Sequence, residues 1–136
     1  MAARLAKPSL DAGLVSNDLD GLIRFYNGVL GLPLAGSVDI PNVGQVTRFQ
    51  VGDSVLRVLV PLDPAQPPPA GPRFSSTAGI RYLALRIGNL AETVEQVAQA
   101  GFTIAVPLHT LRPGVRVALV EDADGNTIEL MEESAP

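Results

Sequence analysis

Chemistry in this chain has to come from a restricted set of side chains. Its 136 residues include no cysteine and a single histidine, His109. The missing cysteine excludes disulfides, thiolate nucleophiles, iron–sulfur clusters and cysteine-type zinc sites. One imidazole excludes any site that needs two or three from the same chain. Carboxylate, guanidinium and phenol chemistry remain. His109 sits in Val106-Pro107-Leu108-His109-Thr110-Leu111-Arg112-Pro113-Gly114, which reads as a loop. It is there either a solvent-facing side chain or a lid residue that reaches a cavity as acid or base. Arg116, just past Gly114, is either a surface cation or a contact for an anionic substrate group. Gly28-Val29-Leu30-Gly31 is no phosphate loop, because no Gly-Lys-Ser/Thr follows it. No serine-elbow pentapeptide occurs. Asp122-Ala123-Asp124-Gly125-Asn126 has half the look of a calcium loop but lacks the bidentate glutamate, and reads as a hairpin turn.

The elements that must position such residues are legible as a repeat. Leu14-Val15-Ser16-Asn17-Asp18-Leu19-Asp20, a helical pattern and Gly31-Leu32 are echoed by Leu85-Arg86-Ile87-Gly88-Asn89-Leu90-Ala91, a helical pattern and Gly101-Phe102. Strands are expected at 10–16 and 80–87. Asp18 and Asn89 are N-cap residues by type, since their side chains accept from orphan helix amides. Leu19, Leu22, Ile23, Tyr26, Val29 and Leu30 form one helical stripe, and Leu90, Val94, Val97 and Ala98 another. Gly31 and Gly101 supply the left-handed residue that ends each helix. Strands follow at 32–39, 43–51 and 54–60, with Gly52-Asp53 as the turn between the last two, and again at 102–106, 115–121 and 127–132. Between the halves, residues 61–72 hold six prolines in twelve, which cannot pair inside a sheet. This stretch reads as a semi-rigid linker near polyproline II, with a PxxP ligand as the alternative.

Composition narrows the partners. Apolar residues at 46% and charged residues at 18% are enough to bury a core. The net charge of −4 argues against nucleic acid and anionic membrane surfaces. No apolar run approaches the roughly 20 residues of a membrane helix. MAARLAKPSLDAG carries Arg4 and Lys7 but no apolar stretch behind them, so no signal peptide is expected and a cytoplasmic location is. Nine arginines to one lysine, with abundant Ala, Gly and Pro, reads as coding bias and not as a site.

The duplicated β-α-β-β-β pattern resembles the vicinal oxygen chelate superfamily, which includes glyoxalase I, extradiol dioxygenases, methylmalonyl-CoA epimerase, and fosfomycin and bleomycin resistance proteins. Asp18-Leu19-Asp20, Phe25-Tyr26 and Val29-Leu30-Gly31-Leu32 look like that family's first helix. Asp122-Ala123-Asp124-Gly125-Asn126-Thr127-Ile128-Glu129-Leu130 is similar to its signature hairpin, DPDGN followed by a strand ending in Glu-Leu. The resemblance implies an α+β fold in which two tandem β-α-β-β-β modules form a curved mixed sheet around a small-molecule cavity. It covers one domain at 9–133, with module 1 at about 9–60, the proline-rich linker at 61–78 and module 2 at about 79–133.

In the resembling enzymes four side chains on the sheet faces bind a divalent metal. Carried over residue by residue, those positions are Asp11, Arg57, Tyr82 and Glu129. This departs from the family pattern, because arginine has no lone pair for a metal and stays protonated. The expectation is therefore no cofactor, with a weak divalent metal at Asp11 and Glu129 as the alternative. Strand parity sets Asp11, Gly13 and Val15 on one face, as it does Val55, Arg57 and Leu59, Tyr82 and Ala84, and Thr127, Glu129 and Met131. Two carboxylates, a guanidinium and a phenol would then line an otherwise apolar cup. Val55, Leu59, Thr127, Met131, His109 and Arg116 are the expected substrate contacts. The first functional reading is a metal-independent acid/base lyase, isomerase, epimerase or hydrolase. Asp11 or Glu129 would move the proton, Arg57 steady a developing anion and Tyr82 orient a substrate oxygen. The alternatives are a non-catalytic, drug-sequestering binder, and a metal-dependent lyase or dioxygenase. A homodimer that completes the cavity is expected in each case.

Overall fold

A computed structural model describes residues 2–67 and 74–134. The first half runs β1 (Ala12–Val15), α1 (Leu19–Ile23), a π-helical segment (Arg24–Val29), β2 (Leu34–Ile40), β3 (Gly44–Val51) and β4 (Ser54–Pro61). After a 3-10 turn at Phe74–Ser76 come β5 (Tyr82–Arg86), α2 (Leu90–Gln99), β6 (Ile104–Arg112), β7 (Val115–Glu121) and β8 (Thr127–Glu133). The strands form two four-stranded mixed sheets, ordered β1-β4-β3-β2 and β5-β8-β7-β6. In each, the first strand runs parallel to the last and the other pairs are antiparallel. The tandem β-α-β-β-β plan expected from the sequence is the observed one. No helix among the described residues is long and apolar enough to cross a membrane.

Both halves feed one core. Leu22, Phe25, Tyr26, Phe49, Leu56 and Val58 from the first meet Leu90, Val97, Ala118, Val120, Ile128 and Leu130 from the second. Phe25 is the hub, edge-on to Tyr26 at 4.9 Å and to Phe102 at 5.0 Å between centroids. The Tyr26 hydroxyl donates to Asp122 Oδ2 at 2.6 Å, and Asp122 also accepts from the amides of Asp124 and Asn126 and from Asn126 Nδ2. The hairpin turn of the second half is thus tied to the helix of the first.

The structure differs from the sequence reading in four places. The first helix is not α-helical to its end: Leu30 N–H bonds back to Phe25, five residues earlier, and the wider turn lets Phe25 and Tyr26 be buried side by side. Phe25 lies off the 3–4 stripe, yet it is fully buried. Asp18 caps α1 through Gly21 N–H at 2.9 Å, whereas the Asn89 side chain makes no cap bond and accepts instead from Thr93 Oγ1. The loop expected around His109 is strand, because β6 runs to Arg112 through three register irregularities. Of the proline-rich linker expected at 61–78, residues 68–73 lie outside the described residues, while Pro61 ends β4 and Phe74–Ser76 forms the 3-10 turn. The linker's start is pinned by Asn17, whose side chain both donates to and accepts from the Ala65 backbone.

Candidate functional site

The sheet ladders set which side chains share a face. On β4, Leu56 and Val58 are buried in the core, so Val55, Arg57 and Leu59 project from the other face. On β8, Ile128 and Leu130 are core, which leaves Thr127, Glu129 and Met131 on the other face. Gly13 stands opposite Arg57 and Ala84 opposite Glu129. Arg57 and Glu129 therefore hold corresponding places in the two sheets. Asp11 and Tyr82 each precede those glycine and alanine positions by two residues.

Asp11 and Arg57 come together. The Arg57 guanidinium lies 3.7 Å from Asp11 Oδ2, with the two side chains 57% and 28% exposed. Asp11 Oδ1 is engaged further: it accepts from Lys7 Nζ at 2.8 Å and from the Val55 amide at 2.8 Å. Its carboxyl is held below the usual value, first by the lysine hydrogen bond and then by the Val55 amide. Lys7 was not among the expected site residues; it sits four residues upstream of Asp11 in a segment with no periodic signal. Asp11 is consequently a poorer proton acceptor than expected.

Tyr82 and Glu129 stand apart from that pair. Tyr82 stacks edge-on with Phe74 at 5.5 Å. Glu129 is half-buried between Ala84 and Leu119. Among the described residues no hydrogen bond or ion pair links either of them to Asp11 or Arg57. His109 faces the same way as Met131 through their shared neighbour Val117, and its Nδ1 contacts the Pro107 carbonyl at 2.9 Å. Arg116, expected as an anion contact, points to the opposite face and donates to Glu132 Oε1 at 2.6 Å. That carboxylate also accepts from Leu90 N–H at the start of α2, so Arg116 is committed to holding the helix end. Leu59 packs beside Val15 and Val46, Thr127 is buried beside Tyr82, and Met131 lies between Arg86 and Val117.

A cavity of about 330 Å³ opens at the seam between the halves. Leu10, Ala12, Val55, Leu56, Tyr82 and Leu85 are among its walls, and Ser54 and Tyr26 line it as well. Asp11 lies between two wall residues in sequence and is bonded to the amide of a third.

The Glyoxalase/Bleomycin resistance protein/Dioxygenase superfamily model matches residues 10–130. A lactoylglutathione lyase from Escherichia coli O157:H7 is 29% identical over 118 residues, 85% of each chain. Among solved structures, the trypanothione-dependent glyoxalase I of Leishmania major superposes with a TM-score of 0.71 at 21% identity, covering 91% of this chain and 85% of that one. The fosfomycin resistance protein FosX from Mesorhizobium loti gives 0.65 at 17%, covering 97% and 94%. At those identities the structural matches establish the fold.

The relatives correct one expectation. Glyoxalase I and fosfomycin resistance homologues are metal-dependent enzymes, which overturns the reading of a protein without a cofactor. The four positions carried over from the family do not fit such an ion. Arg57 offers a cation where a donor is needed, Asp11 is already bonded to Lys7 and Val55, and Glu129 is not joined to Asp11. Among the described residues, no three His, Asp or Glu side chains gather as a metal would require.

Proposed function

The chain belongs to the Glyoxalase/Bleomycin resistance protein/Dioxygenase superfamily, and from that premise we propose that it takes up a compact organic molecule at the seam between its modules and acts on it as a lyase-type enzyme. The domain that does so spans residues 9–133. The observation that carries this reading is the apolar cavity of about 330 Å³ bordered by Val55 and Tyr82; Asp11, bonded to the Val55 amide, connects that wall to Arg57, which is not itself among the lining residues. Pockets of this size, apolar with a few polar groups, suit small molecules. Arg57 holds the substrate's carbonyl or carboxylate oxygen and stabilises charge as it develops there. Glu129, free of any ion pair among the described residues, moves the proton. Tyr82 orients the substrate. A second copy of the chain covers exposed apolar residues such as Val15, Ile80 and Tyr82, making a homodimer in the cytoplasm.

The test is turnover. Lactoylglutathione is the first compound to assay, after the E. coli relative, followed by a panel of small carbonyl and carboxylate compounds. Glu129→Gln is expected to cut kcat about 100-fold or more with little change in KM, because general acid–base catalysis contributes roughly that much. One observation favours a second reading, a non-catalytic binder: Asp11 is clamped by Lys7, Arg57 and the Val55 amide, which suits charge pairing better than proton abstraction. Saturable ligand binding with no product from any compound that binds would establish that reading and remove the enzyme.

A further inference from the structure

The first sheet carries a second arginine that the sequence reading passed over. β3 and β4 pair so that Arg48 stands directly opposite Arg57. Both project from the face turned away from the core, since their neighbours Phe49 and Leu56 are buried. Like charges in such cross-strand positions repel, so the arrangement calls for a counter-anion. The protein supplies little. Asp11 reaches Arg57 only at 3.7 Å and is shared with Lys7. No carboxylate among the described residues pairs with Arg48. Three cations against one carboxylate leave two positive charges on this patch, in a chain whose net charge is −4.

The surroundings hold the pair ready. Gly13 and Gly36 flank it across the sheet in one row, Gly13–Arg57–Arg48–Gly36. A Cβ at Gly13 would meet nothing within 4 Å, so the space beside Arg57 is open. The β2 ladder is irregular between Leu34 and Gly36, and Gly36 takes a φ of 109°, a conformation that side chains rarely adopt. That bulge turns the Ala35 carbonyl to accept from Arg48 Nη2 at 3.3 Å. Arg48 Nε, meanwhile, is buried with no hydrogen-bond partner. An orphaned donor on a strapped guanidinium beside a second guanidinium is an incomplete set of contacts.

We propose that Arg48 and Arg57 form an oxyanion subsite, selective for a doubly charged group of the phosphoryl or phosphonate kind on the small molecule this protein takes up. The claim deepens the proposed function and rests on its placement of the ligand beside Arg57. A dianion matches the two uncompensated charges, and two forked guanidiniums offer enough parallel donors for a tetrahedral oxyanion.

The probe is inorganic phosphate, added to the full-length chain at pH 7.5 and constant ionic strength, with amide shifts followed by NMR. Saturable shifts at Gly13, Gly36, Arg48 and Arg57 are expected. The Kd should rise at least tenfold in Arg48→Met and in Arg57→Met, and stay unchanged in Arg112→Met, at the far end of β6. Arg48→Lys keeps the charge without the fork and guards against a variant that simply misfolds; intermediate affinity is expected. Acetate should bind at least tenfold more weakly than phosphate. Non-saturable shifts, shifts elsewhere, or an unchanged Kd in Arg48→Met and Arg48→Lys would overturn the subsite. Equal affinity for acetate would overturn its preference for a dianion. Turnover without phosphate binding would sink the subsite and leave the enzyme standing; phosphate binding without turnover would do the reverse.

Discussion

The two modules share a plan and differ on the sheet face turned away from the core. Where the first places Arg57 opposite Gly13, the second places Glu129 opposite Ala84; where the first adds Arg48, the second has Leu119. Their helices differ as well. α2 is a regular ten-residue helix, while α1 gives way after five residues to a π-helical segment that buries two adjacent aromatics. The core positions are alike because each module must pack one helix against one sheet. The outward positions answer to no such demand, so a duplicated fold can carry a basic face on one side and an acidic residue on the other.

The largest test asks whether the halves are separate at all. Phe25→Ala removes the ring on which Tyr26 and Phe102 both rest, and large-to-small changes of this kind cost about 3–5 kcal/mol. Urea unfolding monitored by amide signals from β3 and from β8 should show one shared transition moving to lower urea. Two transitions, with β8 unshifted, would mean the modules fold independently.

Tyr26→Phe probes the hydrogen bond from helix to hairpin. Losing a buried bond to a carboxylate costs about 1.5–3 kcal/mol. It also carries a pH signature. Burial, then the Asp122 charge, push the Tyr26 phenol well above its ordinary value of 10.0. The folded state keeps this proton when the unfolded chain loses it, so stability holds below pH 10 and falls as the pH climbs beyond. The alkaline decline should be shallower in Tyr26→Phe. Equal slopes would show that another group governs it.

Helix capping gives the next contrast. Asp18→Ala removes a bond to Gly21 N–H and should cost about 1 kcal/mol. Asn89→Ala removes only an acceptor for Thr93 Oγ1, and less than about 0.5 kcal/mol is expected, since the cap bond that gives such residues their value is absent. Equal losses in thermal melts would restore the symmetry that the sequence implied.

What could be read in advance followed from periodicity and punctuation. Gly31 and Gly101 have φ of 73° and 87°, the left-handed helix ends that their type and spacing implied. The β-α-β-β-β order followed from alternation and turns. Arg48 was within reach of the same logic, since Arg48 and Arg57 lie equidistant from the Gly52-Asp53 turn, and a two-residue hairpin pairs such residues. Phe25 was not, because a π-turn shifts the buried face by a residue without leaving a mark in the pattern. Nor was β6, where bulges carry Pro107 and His109 along an edge strand that reads as a loop. The cap at Asn89 failed for another reason: its type was right, but Glu132, distant in sequence, already serves the helix end.

The smallest expected effect concerns Lys7, the one residue that most changes the reading of Asp11. Its hydrogen bond is the leading cause of the lowered Asp11 pKa, ahead of the Val55 amide. Lys7→Met keeps the length of the side chain and removes the donor. The Asp11 midpoint, followed by carboxylate carbon NMR, should then rise toward the ordinary 3.8 without reaching it, since Val55 and Arg57 still favour the charged form. The sign for stability follows from the depressed value: Asp11 stabilises the folded state above pH 3.8, and that contribution drains away as the pH falls through the lower folded midpoint. Lys7→Met should flatten this acid limb and leave neutral stability nearly unchanged, because the pair is exposed and screened. An unmoved midpoint would place the N-terminal arm away from the sheet in solution. Asp11 would then face Arg57 with one cation fewer, and the charge contrast between the modules would shrink to Arg48 and Arg57 set against Asp11.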